Sequence, residues 1–102
     1  MAVLASCAKP YVIVQIADAQ LGFTETDAYK AAGKEYEGDV SYEIQYLTKA
    51  VEMVNEIRPD AVVFTGDQVH NSGNSYEWSS FKTAVSAISM DIKVFHLPGN
   101  HD

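Results

Sequence analysis

Ala61-Val62-Val63-Phe64-Thr65-Gly66-Asp67-Gln68-Val69-His70 is the stretch that decides how this chain is read. Its first five residues are apolar or β-branched, the composition of a strand on a buried, pleated surface. Gly66 breaks the run, and Asp67 follows at once with a carboxylate. Two other stretches repeat the arrangement: Tyr11-Val12-Ile13-Val14-Gln15-Ile16 leads to Asp18, and Ile92 to Leu97 leads to Pro98-Gly99-Asn100-His101-Asp102. Three strand-like runs therefore each end in oxygen-bearing side chains. Open α/β sheets hold their ligands at the carboxyl ends of the strands. Carboxylates with a carboxamide are the donors that hard divalent cations take.

The segments between these runs complete a β-loop-α-β-loop-α-β order. Thr24 to Asp39 is polar and broken by Gly33 and Gly38, which predicts a long surface loop. Val40, Ile44, Leu47, Val51, Val54 and Ile57 recur at spacings of three and four, the mark of an amphipathic helix. Pro59 ends it, because its ring removes a donor and disfavours helical geometry just before it. Asn74 with Glu77 three residues on resembles a capping box, opening a second helix with Trp78, Phe81, Val85 and Ile88 turned inward. The nearly continuous apolar run of the first strand predicts burial on both faces of a parallel sheet. The whole reads as a three-stranded parallel core, with residues 1–10 a tail and residues 11–102 part of one domain.

Composition narrows the partners. The chain has 102 residues, is 47% hydrophobic and carries a formal charge of −7, which speaks for a packed core and against nucleic acid, whose recognition draws on clustered Lys and Arg. A phosphorylated small substrate stays compatible, since bound cations invert the local sign of charge. No stretch approaches the ~20 apolar residues of a membrane span. The one cysteine, Cys7, follows Leu4-Ala5-Ser6, the small-residue box that precedes a lipid-modified cysteine in bacterial lipoproteins. Six residues are too few for a full signal sequence. Two readings of location stay open: a lipid-anchored, extracytoplasmic protein with Cys7 at the membrane, or a cytoplasmic one with a solvent-facing thiol.

In the third segment Gly99 suits a tight turn after the strand, and Asn100 offers a neutral carbonyl oxygen to a metal. His101 supplies an imidazole, the side chain suited to protonating a departing alkoxide; Asp102 is placed to fix its tautomer. His96, inside the third strand, is read as structural. Asp67 on its own fits a turn aspartate. With Asp18 and Asn100 at neighbouring strand ends it fits a carboxylate bridging two cations ~3.5–4 Å apart.

Asp18-Ala19-Gln20, Gly66-Asp67-Gln68-Val69-His70 and Gly99-Asn100-His101-Asp102 resemble, in order, the first three signature segments of the calcineurin-like metallophosphoesterases, D-x-H, G-D-x-x-[DNHY] and G-N-H-[DE]. The opening Gln15-Ile16-Ala17-Asp18-Ala19-Gln20-Leu21-Gly22 is similar to the branch typified by calcineurin-like phosphoesterase domain-containing protein 1. The resemblance implies the βαβαβ half of a four-layer α/β/β/α sandwich, so that the chain would be the amino-terminal part of the domain. It implies two divalent or trivalent metal ions (manganese, iron or zinc) and a phosphorylated substrate attacked by a hydroxide that the metals activate. Asp18 would hold the first metal, Asp67 would bridge both, and Asn100 would hold the second. His101 would protonate the leaving group, assisted by Asp102.

Gln20 departs from the pattern, standing where most of the family has a metal-binding histidine. His70 lies where related purple acid phosphatases have a metal-binding tyrosine, so His70 is expected to complete the first site, with Gln20 orienting a water or a ligand. The family's further histidine and its G-H-x-H segment belong to a second half of the domain. That half is the expected partner of this chain, which alone is expected to bind metal weakly and turn over nothing. The alternative reading is a non-catalytic module binding phosphate, metal or a partner. Other phosphate enzymes are disfavoured, because G-x-x-x-x-G-K-[ST] and G-x-G-x-x-G are absent. Thr24–Asp39 and Ser72–Ser75 are the expected rim of a substrate pocket.

Overall fold

A computed structural model describes residues 10–102; Cys7, its lipobox and most of the expected tail lie outside them. The elements run β1 (Ile13–Ile16), α1 (Phe23–Ala31), α2 (Glu43–Ile57), β2 (Ala61–Phe64), α3 (Ser75–Val85) and β3 (Lys93–His96). The strands form one parallel sheet in the order β1-β2-β3, with Ile13, Ala61 and Lys93 side by side in register. The fold is thus the mixed α/β arrangement, three parallel strands and their helices, read from the sequence. Among the described residues no helix is long and apolar enough to cross a membrane.

Both long helices cover one face of the sheet. Leu47, Val51 and Val54 of α2 and Phe81 of α3 pack with Val62, Phe64, Ile88 and Ile92 into one buried cluster. Phe64 is its centre, edge-on to Phe81 at 5.3 Å and stacked on His96 at 5.1 Å. Burying such a side chain contributes about 1.5–3 kcal/mol. His96 is therefore held by aromatic contacts, the structural role its place in the strand suggested.

The opposite face of the sheet is bare. Ile13 is 58% exposed, Phe95 52% and Leu97 53%. The expectation that β1 is buried on both faces is corrected here: β1 is an edge strand with one covered side. Ile57, counted in the inward stripe of α2, is also exposed. That helix ends at Arg58 in the left-handed conformation, one residue before Pro59.

A second correction concerns Thr24–Asp39, expected as a loop. Its first half is α1, which carries no apolar stripe; its one buried residue is Glu25. The helix is specified from outside. Glu43 at the start of α2 accepts the backbone N–H groups of Gly22 and Thr24 at 3.3 and 2.9 Å. Glu25 in turn accepts the N–H of Tyr42 at the start of α2. Each helix thus caps the other, satisfying N-terminal donors that have no partner within their own helix. Gly33 closes α1 with a Schellman pair, Gly33 N–H to Lys30 O at 3.1 Å and Lys34 N–H to Tyr29 O at 2.9 Å.

The mutual caps bring two carboxylates together. Burial, then the hydrogen bond to Glu43, pushes the Glu25 carboxyl up to about 7 from its ordinary 4.5. Glu43, against its own burial, is held low by the proton Glu25 donates and by Thr24. Between about 4.5 and about 7 the folded chain keeps a proton that the unfolded chain has released. Stability should therefore fall as pH rises through that window and level off above it. Glu25→Gln keeps the acceptor for Tyr42 and a donor for Glu43 without the titration. Thermal unfolding between pH 5 and 8 should show a decline of ~5 °C in the parent protein that is absent in this variant.

Candidate metal and phosphoester site

Backbone bonds bind the rim loops to one another just beyond the strands. Asp18 N–H reaches Gly66 O at 3.2 Å, Gln20 N–H reaches Asp67 O at 2.8 Å, and Leu21 bridges to Val69. Asp18, Gln20 and Asp67 are all in the left-handed region, at φ 54°, 44° and 51°. Such a conformation in non-glycine residues costs on the order of 1 kcal/mol each and clusters where function demands it. Three of the four non-glycine residues with positive φ among those described lie on this rim.

The β2 and β3 rims meet without side chains between them. A Cβ on Gly66 would lie 2.8 Å from the Gly99 Cα, and one on Gly99 would lie 2.3 Å from both the N and the Oδ1 of Asp67. Gly99 was expected for its turn conformation; its φ is not among the positive ones, and what the position requires is space. This contact brings Asp67, Asn100 and His101 together. The His101 N–H donates to Asp67 Oδ1 at 2.9 Å. The Asn100 amide lies 3.1 and 3.3 Å from the two Asp67 oxygens and donates to them through Nδ2. With the amide turned, its oxygen would face both carboxylate oxygens, which only a cation between them makes favourable.

His70 stacks on His101 with ring centroids 4.9 Å apart and meets Phe23 edge-on at 5.2 Å. Its Nδ1 lies 3.3 Å from the Gln20 amide. Gln20 thus contacts His70, as a residue that orients a ligand does. The atom facing Nδ1 is Gln20 Nε2, so Nδ1 accepts and the His70 proton sits on Nε2; only with the amide turned to present its oxygen would the proton move to Nδ1 and leave Nε2 for a metal.

Asp102 does not do what was expected of it. Its Oδ1 accepts from Gln68 and Val69 N–H at 2.8 and 3.2 Å, and Oδ2 from Gly99 N–H at 2.8 Å. It staples the β3 rim to the β2 rim and does not contact the His101 ring. That ring places Nδ1 3.1 Å from the His70 carbonyl oxygen. A carbonyl only accepts, so Nδ1 carries the proton and Nε2 is left for other work.

Asp18 reaches the rim through its backbone and lines a cavity of about 310 Å³ against Glu43, Tyr46 and Leu47 of α2. Among the described residues no three His, Cys, Asp or Glu side chains surround a common point. Of the expected ligands, Asp67 and Asn100 are brought within hydrogen-bond distance of each other.

The sequence reading missed Glu77 as a part of this neighbourhood. It is fully buried and accepts from His70 N–H at 3.1 Å, Asn71 N–H at 2.7 Å, Asn71 Nδ2 at 2.7 Å and Tyr36 Oη at 2.7 Å. Burial, then the bond to Glu77, drives the Tyr36 phenol above its usual range, so it remains a donor. A signal was present: Glu77 shares the inward stripe of Phe81 and Ile88, at spacings of four and eleven.

A family profile described as calcineurin-like phosphoesterase matches residues 11–102. The chain belongs to the calcineurin-like phosphoesterase family. Its members generally use divalent metal ions. Among curated proteins, the chain is similar to the "Probable glycerophosphodiester phosphodiesterase GpdQ" of Arcobacter nitrofigilis, 27% identical over 99 residues. The match takes in 89% of this chain and 30% of that relative, so the chain spans about a third of its length.

Proposed function

We propose that this chain carries the first half of the active site of a metal-dependent phosphoesterase. The observation that supports this reading is the meeting of Asp67, Asn100 and His101, from two different strand ends, within hydrogen-bond distance of one another. Asp67 and Asn100 would hold one cation; Asp18, Asp67 and His70 would hold a second, with ligands added from beyond these residues. Manganese, iron or zinc suits carboxylate, carboxamide and imidazole donors. When bound, the cations neutralise phosphate charge and acidify a water so that it can serve as nucleophile.

The chain's own residues do the rest. His101, its Nδ1–H on the His70 carbonyl, acts as the imidazolium: its Nε2–H points to the leaving oxygen and gives up that proton, leaving the neutral Nδ1–H ring. Asp102 keeps Gly99 and the β2 rim in contact, which fixes Asn100 and His101 against Asp67. Gln20 orients His70. The bare face with Ile13, Phe95 and Leu97 is the surface that the rest of the domain would cover, because a monomer rarely leaves a contiguous apolar face in water. The relative's name makes phosphodiesters the first class to assay, beside monoesters.

The decisive experiment is metal analysis of the intact protein, joined to hydrolysis of aryl phosphate mono- and diesters before and after chelation. Turnover lost on chelation and regained with manganese or zinc is the expected result. Hydrolysis that survives complete metal removal, or none with metal bound, would leave a binding module in its place. His70→Ala tests the first metal site separately: occupancy there should fall and turnover drop by ~10²-fold. Both sites filled as before would show that His70 is not a ligand.

A further inference from the structure

Glu77 sits at the third position of α3 behind the Asn74 cap, where a glutamate ordinarily reaches back to the N–H of the cap. Only half of that device forms. Asn74 Oδ1 accepts the Glu77 N–H at 2.9 Å, while the Asn74 N–H goes to Asn71 O at 2.9 Å. The Glu77 carboxylate turns inward instead, with no part of it exposed. A buried charge is costly unless strongly hydrogen-bonded, and four donors meet this one. Even Gly22 is shaped around it, since a Cβ there would lie 2.5 Å from Glu77 Oε2.

The donors form a path to His101. The Asn71 N–H, on Glu77 Oε1 at 2.7 Å, belongs to the same planar peptide unit as the His70 C=O. In a trans peptide these two groups point in opposite directions. The far end of that unit accepts from His101 Nδ1 at 3.1 Å. An anion on the N–H side fixes the plane of the peptide and strengthens its oxygen as an acceptor. Glu77 also shares the His70 N–H with Leu21 O, so the peptides on both sides of His70 are held.

We infer that Glu77 is a positioning residue for His101, acting through the peptide bond between His70 and Asn71 to hold Nδ1–H on the His70 carbonyl and so aim the Nε2–H of the imidazolium at the leaving group. This rests on the phosphoesterase reading above. It gives Glu77 the duty that the sequence assigned to Asp102, with a peptide group interposed between carboxylate and imidazole.

The test uses the intact, metal-loaded protein and two substrates that differ in leaving group, an alkyl ester and a nitrophenyl ester of the same phosphate. Glu77→Met fills the same volume without acceptors. It should slow the alkyl ester by ~30-fold and the nitrophenyl ester by less than ~3-fold, because only a poor leaving group needs the proton. Glu77→Gln, which can keep an oxygen toward Asn71 N–H, should restore most of the alkyl-ester rate. Nitrogen-15 spectra of the His101 ring should show a hydrogen-bonded proton on Nδ1 in the parent protein and in Glu77→Gln, and the loss of that hydrogen bond in Glu77→Met. If Glu77→Met does not fold, Glu77→Asp, shorter by one methylene, should show the same split. Equal slowing of both esters with an unchanged Nδ1–H hydrogen bond would overturn the inference. A parent protein that cleaves neither ester would overturn the phosphoesterase reading, and the ring spectra alone would then decide the role of Glu77.

Discussion

Asp67→Asn in the intact protein should lower phosphoester turnover by about 10³-fold, near 4 kcal/mol of transition-state stabilisation, and empty at least one metal site. The substitution isolates charge from shape. Asparagine tolerates the left-handed conformation found here at φ 51°, and its side-chain oxygen can still accept the His101 N–H now held at 2.9 Å. What disappears is the negative charge and one of the two oxygens beside the Asn100 amide. Metal content by mass spectrometry and single-turnover rates would measure the two losses. Turnover within tenfold of the parent protein would remove Asp67 from the centre of the site.

Gly99→Ala should cost about 10²-fold in turnover with the fold intact. The added methyl would lie 2.3 Å from the Asp67 backbone nitrogen and from its Oδ1, much closer than any real carbon contact. The β3 rim has to retreat, carrying Asn100 and His101 with it. A displacement near 1 Å is enough to lose ~10²-fold in a positioned reaction. The strands below have no reason to move, because their pairing ends at Phe64 and His96. Circular dichroism should therefore match the parent, while metal affinity and rate fall together. An unaltered rate would mean that the two rims are not in register during catalysis.

Much of this was legible in the residues. Period and β-branching found all three strands, and α2 and α3 followed from their apolar stripes and from Pro59 and Asn74. The positions of Asp18, Asp67, Asn100 and His101 at strand ends followed from the same reading. What stayed hidden depends on partners distant in sequence. Helix α1 has no stripe of its own, because a carboxylate from α2 caps it. Asp102 stands beside His101 in sequence but spends its oxygens on three backbone N–H groups. Adjacency along the chain was the wrong guide there, since consecutive side chains in a turn diverge. Glu77 was hidden by a familiar pattern: Asn-x-x-Glu promised an exposed cap, and one half of it formed.

In this sheet the order of strands in space is the order of strands in the chain, with β2 in the middle. Asp67 is consequently the one rim carboxylate with a neighbour loop on either hand, Asp18 to one side and Asn100 to the other. The bodies of α2 and α3 pack on the back of the sheet, while the first residue of α1, Phe23, meets His70 at that edge. The turn between α1 and α2, around Gly33 to Asp39, is tied to that edge by one side chain: Tyr36 donates to Glu77 at 2.7 Å, so a change in the turn's length would be felt at His70. A lineage built on this frame can reshape that outer turn only where Tyr36 keeps its place.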